Sequence, residues 1–157
     1  MAFTWYGRDI DASHVGQKAN TTVSNVDSLS ASETVGIEPG DILVRSTVDG
    51  TVKKATSVSQ ATSAIGAALH SHKEPTSPYY EQGDTVPVIT LGDIFLRSGT
   101  DAAAGAAAGL VTSVANPTGT TSLMVGAATG TSYIAMDGVT FEEDVTAGNI
   151  VRVRIRK

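Results

Sequence analysis

The sequence predicts an all-β fold: a single compact β-barrel or jelly-roll-like β-sandwich domain with a polar N-terminal arm. The first observation behind this prediction is a repeated phrase. Residues 40–46 read Gly-Asp-Ile-Leu-Val-Arg-Ser, and residues 92–98 read Gly-Asp-Ile-Phe-Leu-Arg-Ser. Glycine reaches the positive φ of tight turns, aspartate caps its own backbone, and the apolar residues that follow suit a half-buried strand. The sequence therefore predicts that the same Gly-Asp turn leads into a strand at several places in the chain.

Two weaker copies of the phrase and the composition favour the same fold class. Gly83-Asp84 precedes a run rich in Val and Ile, and Gly148-Asn149 precedes another such run at 150–153. Only 17% of the residues are charged and 5% are aromatic, while 16 are Gly. A chain of 157 residues with so many small side chains is typical of one β-rich domain with many turns.

The expected elements follow from these patterns in chain order. Asp49-Gly50 is a hairpin turn signal that joins two predicted strands. The other predicted strand pair, 85–91 and 93–98, lies around Gly92, and Pro87 places its first member at an edge or a bulge. The Ala- and Gly-rich stretch 101–109 is either a short helix or a loop. The complete list of predicted strands is 41–46, 51–55, 65–70, 85–91, 93–98, 110–114, 123–125, 133–136 and 150–155, with a projecting loop at 71–82.

The repeated phrase does not extend into a solenoid, because two full copies are fewer than the three units that such an architecture needs. A closed barrel or a two-sheet domain fits better, since closure removes exposed strand edges. We expect residues 1–36 to form an N-terminal aromatic segment and extended arm with one weak strand at most. Residues 37–157 are expected to form the β domain.

Charge and cysteine content exclude several classes of function. The net charge is −5 and the pI is about 5.0, whereas a nucleic-acid-binding protein is expected to be basic. There is no Cys, so disulfides and thiolate metal sites are excluded. We find no signal-peptide pattern and no apolar window long enough to span a bilayer, and therefore expect no membrane partner and synthesis in the cytoplasm.

The sequence contains no catalytic constellation. It lacks a Gly-x-Ser-x-Gly nucleophile motif, a P-loop and a dinucleotide fingerprint. His70 and His72 could hold zinc together with His14 or a carboxylate, but ordinary loop histidines are favoured. The acidic run 142–144 is interpreted as a solvated turn, or as a contact with basic residues of a neighbouring subunit. We expect no catalytic residue, no cofactor and no metal.

Aromatic residues are the first candidates for a contact surface. Phe3, Trp5 and Tyr6 cluster at the N-terminus, and Tyr79 and Tyr80 end the Pro-containing segment of the projecting loop. Tyr and Trp bury large areas with little loss of entropy, so they often anchor interfaces. The alternative for Phe3 and Trp5 is that they fill the core of the domain itself.

The last predicted strand carries a basic stripe. Arg152, Arg154 and Arg156 alternate with Val and Ile, so period-two alternation places the three guanidinium groups on one face. This face is either a solvated surface that protects a sheet edge from aggregation or an electrostatic contact with an acidic neighbour, including another copy of the chain.

From residue 38 to the C-terminus the chain resembles the small decoration, or cement, proteins that coat the capsids of tailed bacteriophages. The resemblance lies in the phrase 40–45 after Glu38-Pro39, with its continuation at 52–55 and 65–68. It lies also in 86–96 and in the ending 137–153. It implies a compact, oligomeric β domain that docks on the outer face of the capsid and has no enzymatic activity.

These observations together predict a structural virion protein that binds the exterior of a phage capsid and stabilises the shell. The expected partners are the major capsid protein and the chain itself, as a homodimer or homotrimer. The alternative is a phage tail or fibre domain or a carbohydrate-binding β module. An enzyme is the third hypothesis, and the missing catalytic motifs argue against it.

Overall fold

A computed structural model of the chain describes residues 15–19, 23–32, 36–70, 79–113, 122–127 and 134–157. Within these residues the chain is almost entirely β, so the predicted fold class is confirmed. None of the helices found there is long and apolar enough to cross a membrane. In chain order the elements are β1 Asn25–Ala31, β2 Ile42–Arg45, β3 Thr51–Lys54, a 3₁₀ helix Val58–Ser63, β4 Ala64–Ala68, β5 Thr85–Arg97, β6 Ala107–Ser113, β7 Ser122–Ala127, β8 Ala135–Phe141 and β9 Ile150–Arg156.

Five strands close into a barrel. The order is β1–β3–β2–β4–β5, and β5 pairs again with β1; the β1–β3 contact is parallel and the other four are antiparallel. Each of the five strands contributes at least one buried side chain to the interior: Ala31, Leu43, Val52, Ala68, Val86 and Val88. The predicted β-barrel is therefore confirmed.

The other strands continue the sheet from β5 in the order β9–β8–β6–β7. A parallel bridge between Ser98 and Val125 brings β7 back beside the end of β5. The core of this half is larger and includes Phe141 together with the alternating apolar residues of β9. The barrel strand β2 serves both cores, because Leu43 points into the barrel whereas Ile42 and Val44 pack in the larger core.

The two strands predicted around Gly92 are one continuous strand of 13 residues, which corrects the expectation of a pair. Gly92 has a φ of 130° inside this strand, a conformation that L-residues rarely adopt. A β-carbon there would lie 3.0 Å from the Cβ of Ser24 and 3.2 Å from the Cδ1 of Ile89. Glycine thus lets β5 pass from the barrel to the second sheet without a break.

Pro87 does not mark an edge, because β5 lies between β1 and β4 at this position. The Leu69 N–H donates to the Pro87 carbonyl at 2.8 Å, and proline has no N–H to return the second bond of that pair. The Tyr80 hydroxyl donates to the Leu69 carbonyl at 2.6 Å instead. A buried side chain therefore replaces the donor that proline removes from the sheet.

The expected boundary between residues 36 and 37 does not coincide with the edge of the sheet. β1, inside the predicted arm, pairs with β5 along Asn25–Ser30 and with β3 at Ser30–Ala31. Farther toward the N-terminus, the Gly16 N–H donates to the Phe95 carbonyl at 2.7 Å and Lys18 bridges Ile94. Without β1 the barrel would remain open between β3 and β5, so a strand of the predicted arm completes the ring.

The Gly-Asp turns that the sequence predicts before two of the strands are present. The Asp41 N–H donates to the Glu38 carbonyl at 3.0 Å, and the Glu38 N–H donates to Asp41 Oδ2 at 2.8 Å. The turn at 81–84 repeats both bonds at 2.9 and 2.7 Å. Gly40 and Gly83, with φ of 90° and 88°, occupy the same position in the two turns. The turns lead directly into β2 and β5.

We expect Gly92→Ala to destabilise the fold by about 2 kcal/mol or more, because φ is strained and the new methyl group meets two neighbouring side chains. Gly105→Ala is the matched control: Gly105 also has a positive φ, but a β-carbon there meets nothing within 4 Å. Chemical denaturation of both variants measures the difference. Equal losses would show that β5 does not need glycine for passage between the two sheets.

We expect Tyr80→Phe to cost about 1–3 kcal/mol, because the buried Leu69 carbonyl loses its hydroxyl donor. Adding Pro87→Ala to this variant supplies a backbone N–H opposite the same carbonyl and should recover part of the loss. A double-mutant cycle by chemical denaturation measures this coupling. If the effects of the two mutations were additive, the Tyr80 hydroxyl would not be taking the place of the N–H that Pro87 lacks.

Candidate interaction surface

The outer face of β9 is organised as the alternation predicts. Val151, Val153 and Ile155 are buried in the larger core, and the three arginines lie on the opposite face. In the sheet, Arg154 stands between Asp93 of β5 and Thr140 of β8. The basic stripe therefore crosses the middle of the sheet and does not line a free edge.

Arg154 binds two carboxylates on this face. Its Nε lies 2.8 Å from Asp93 Oδ1, its Nη2 lies 3.2 Å from Asp93 Oδ2, and Nη2 also lies 3.0 Å from Glu142 Oε2. Asp93 is only 2% exposed, so its charge requires this partner. The hydrogen bond to Asp93, ahead of the charges of Asp93 and Glu142, raises the pKa of Arg154 above its ordinary value.

The other two arginines differ in their surroundings. Arg152 Nη2 lies 3.4 Å from Glu143 Oε1, whereas Arg156 is exposed at the end of β9. Glu142 and Glu143 thus meet the arginines of their own chain, and their contact with a neighbouring subunit stays a prediction. Local pairing reduces the positive charge that Arg152 and Arg154 offer to a partner, and Arg156 projects farthest into solvent.

The two tyrosines separate onto opposite sides of their segment. Tyr79 is 42% exposed, whereas Tyr80 is 3% exposed and packs in the barrel core beside Ile37. The assignment of Tyr80 to a contact surface is corrected, because successive residues of an extended segment point in opposite directions. The predicted contact residues Phe3, Trp5 and Tyr6 lie outside the described residues.

Sequence reasoning missed several exposed apolar side chains. Val23 is 85% exposed, and Val26, Val48 and Ile134 are also exposed. Val23 and Val26 stand in the polar stretch before residue 36, and Val48 directly precedes the Asp49-Gly50 turn. An isolated valine in a polar run or beside a tight turn is the signal that could have identified them.

The described residues do not assemble a metal site. Among them no group of three or more His, Asp or Glu side chains is arranged to hold an ion. His70 is exposed, and its backbone N–H donates to the Gly16 carbonyl at 2.8 Å. His14 and His72, the partners in the zinc alternative, lie outside the described residues.

The carboxyl group of Asp41 has an altered proton affinity. Burial raises its pKa from the ordinary value of 3.8 to about 6, and Lys54 Nζ at 3.6 Å and the Glu38 N–H oppose that rise only in part. The folded chain thus binds a proton at Asp41 that the unfolded chain has already released. The resulting stabilisation is present below about pH 4 and is lost as the pH rises through about 6.

We therefore expect the stability of Asp41→Asn relative to the wild type to increase from about pH 4 to about pH 7, by at most about 3 kcal/mol. Asparagine keeps an acceptor for the Glu38 N–H but does not titrate. Urea denaturation across this pH range measures the difference, with Asp49→Asn at the exposed hairpin turn as the control. A pH-independent difference would contradict the raised pKa of Asp41.

The barrel and the sheet that continues from it carry paired charges on their outer face. A family model described as "Structural cement protein (E217 gp24/Pam3 gp6)" matches residues 1–156. The chain therefore belongs to the family of phage structural cement proteins, and the resemblance predicted from its sequence is confirmed. It is a structural virion protein that stabilises the capsid.

Two solved structures share the fold. A chain in "The capsid of Myoviridae Phage XM1" is 19% identical, with a TM-score of 0.63, and the match covers 100% of this chain and 99% of that one. A chain in "The crystal structure of head fiber gp8.5 N base in bacteriophage phi29" is 17% identical, with a TM-score of 0.51, and the match covers 83% and 94%. No curated protein sequence matches this chain.

Proposed function

We propose that the protein binds the outer face of the assembled shell as a homo-oligomer and bridges neighbouring copies of the major capsid protein. The observation that carries this proposal is membership of the cement protein family over almost the whole chain. A protein that binds the assembled lattice in preference to free shell subunits stabilises the lattice by mass action. Many copies acting together allow each contact to be weak.

The exposed members of the predicted contact set are the proposed shell-binding residues. Tyr79 presents part of its ring to solvent, and Arg156 carries the most accessible charge of the basic stripe. We extend the proposal to the N-terminal aromatic residues Phe3, Trp5 and Tyr6. Arg152 and Arg154 contribute less directly, because Glu143, Asp93 and Glu142 already engage their guanidinium groups.

Charge distribution supports a protein partner rather than nucleic acid. The chain has a net charge of −5, and acidic side chains of the same molecule hold two of the three arginines of the stripe. Phosphate binding would require clustered, accessible cations. We propose no enzymatic activity and no cofactor, in line with the structural character of the family.

The carbohydrate-binding alternative receives less support. Such a module needs exposed aromatic rings side by side, whereas Tyr80 and Phe141 are buried. Among the aromatic residues that the structure describes, only Tyr79 is exposed. The shared fold with the head fibre base is a likeness of architecture and does not favour a second function.

Heads that lack the protein should release their DNA at a lower temperature than complete heads, and purified protein added back should restore the difference. Arg156→Ala should weaken rebinding about twofold to fivefold at low salt, with a smaller effect at high salt. Arg45→Ala is the control, because Arg45 is an exposed arginine on β2, outside the basic stripe. Equal thermal stability of heads with and without the protein would overturn the proposed function.

A further inference from the structure

The N-terminal half of β1 extends beyond the barrel. Asn25, Val26, Asp27 and Ser28 are all exposed, although they are strand residues, and burial is complete only at Ala31. β5 pairs with β1 from Asn25 to Ser30, with a register shift between Asn25 and Val26, but β3 pairs only with Ser30 and Ala31. In the described part of the chain, residues 25–29 are therefore held by β5 alone.

The hydrogen bonds show which N–H and C=O groups of β1 point toward β5 and which point toward the opposite edge. The Ala31 N–H donates to Asp84 of the segment that leads into β5 at 2.9 Å, whereas the Ser30 N–H donates to Gly50 on the opposite edge at 3.2 Å. Backbone groups alternate between the two edges of a strand. Val26 and Ser28 therefore direct their N–H and C=O groups away from β5, where no described strand pairs with them.

Exposed apolar side chains lie around this edge. Val26 belongs to it, and Val23, 85% exposed, precedes it by three residues. Val48 lies at the tip of the β2–β3 hairpin, and the Ser30–Gly50 hydrogen bond places that tip beside β1. Unpaired backbone groups next to exposed valines are the features by which a sheet edge accepts another strand.

We propose that β1 of a second copy of this chain pairs antiparallel with this edge, so that one sheet runs through two subunits about a twofold axis at Val26. The proposal goes beyond shell binding and concerns how two cement subunits join each other. A twofold contact is self-complementary and closes after two subunits, which avoids open-ended polymerisation.

The register follows from charge and from the groups already engaged. If the pair were centred on Ser28, Ser30 would have to bond to Val26 of the partner subunit. The Ser30 N–H is already bonded to the Gly50 carbonyl. Centring it on Asp27 would place Asp27 opposite Asp27 of the partner subunit, which like charges disfavour. Centring it on Val26 places Asn25 opposite Asp27 of the partner subunit, so that no like charges face each other. The Asn25 Nδ2 already donates to Thr90 Oγ1 at 2.8 Å and to Asp27 Oδ1 of its own chain at 3.3 Å, so this register does not depend on that amide.

Sedimentation velocity of the purified full chain tests the proposal. The wild type should sediment as a dimer with twice the 16.1 kDa of one chain. Ser28→Pro should be monomeric, because it removes an outward N–H and leaves the bonds of Asp27 and Leu29 to β5 in place. Ser28→Ala, which keeps that N–H, should remain dimeric, and a denaturation curve for each variant shows whether it folds.

Two substitutions at the proposed axis provide tests that do not depend on proline. Val26→Glu should produce monomers, because two like charges would face each other. In an antiparallel hydrogen-bonded pair the Cα atoms are about 5.5 Å apart, within the range for a disulfide. Val26→Cys in this Cys-free chain should therefore form a covalent dimer on oxidation, whereas Val48→Cys at the hairpin tip should not.

A monomeric wild type, or a dimer that survives both Ser28→Pro and Val26→Glu, would overturn the proposal. A wild-type monomer whose binding to heads is lost only in Ser28→Pro would also overturn it, and would assign the edge to an extended segment of the shell protein. The oligomeric state in solution and the thermal stability of heads are separate measurements. Failure of this dimer contact is thus distinguishable from failure of the proposed shell binding.

Discussion

The architecture depends on a single long strand that is hydrogen-bonded along both edges. One edge of β5 holds β4 and then β9, while the other holds β1 and then the bridge to Lys18. Its side chains enter two cores, since Val86 and Val88 fill the barrel whereas Ile94 and Leu96 belong to the larger core. A strand that serves two cores must change direction without losing its ladder of hydrogen bonds. Only a residue without a β-carbon does this at φ 130°, so Gly92 determines how the two halves join.

The repeated phrase shows where local sequence stops specifying structure. Asp41 closes a turn before β2, and its copy Asp93 is a buried mid-strand residue that is paired with Arg154. The same dipeptide therefore serves as a turn cap in one place and as half of an ion pair in the other. Turn geometry needs only four residues, and the sequence predicts it at Gly40 and Gly83. The role of Asp93 depends on an arginine 61 residues away in the chain, which local patterns do not indicate.

The same distinction applies to the fold and the candidate surface. Alternation predicts the hairpin around Gly50 and the two faces of β9, because both depend on neighbouring residues. Barrel closure was not predictable from residues 1–36, since β1 has few apolar residues and gains its strand conformation from pairing with β5. Composition gives no direction to a side chain, so the sequence predicts Tyr80 at the surface together with Tyr79. Pro87 has no N–H to donate to the Leu69 carbonyl. The buried Tyr80 hydroxyl donates to that carbonyl instead.

The length of β1 exceeds what the barrel needs. Ser30 and Ala31 complete the contact with β3, and Leu29 packs against the barrel core, so the ring would close with β1 beginning there. The preceding residues are exposed on both faces, and no described strand pairs with their outer edge. Soluble proteins normally shorten, charge or cover such an edge. A single acidic residue, Asp27, is weak protection for such a segment. The protein works in an assembled lattice, where a strand from another molecule can cover this half of β1 after folding.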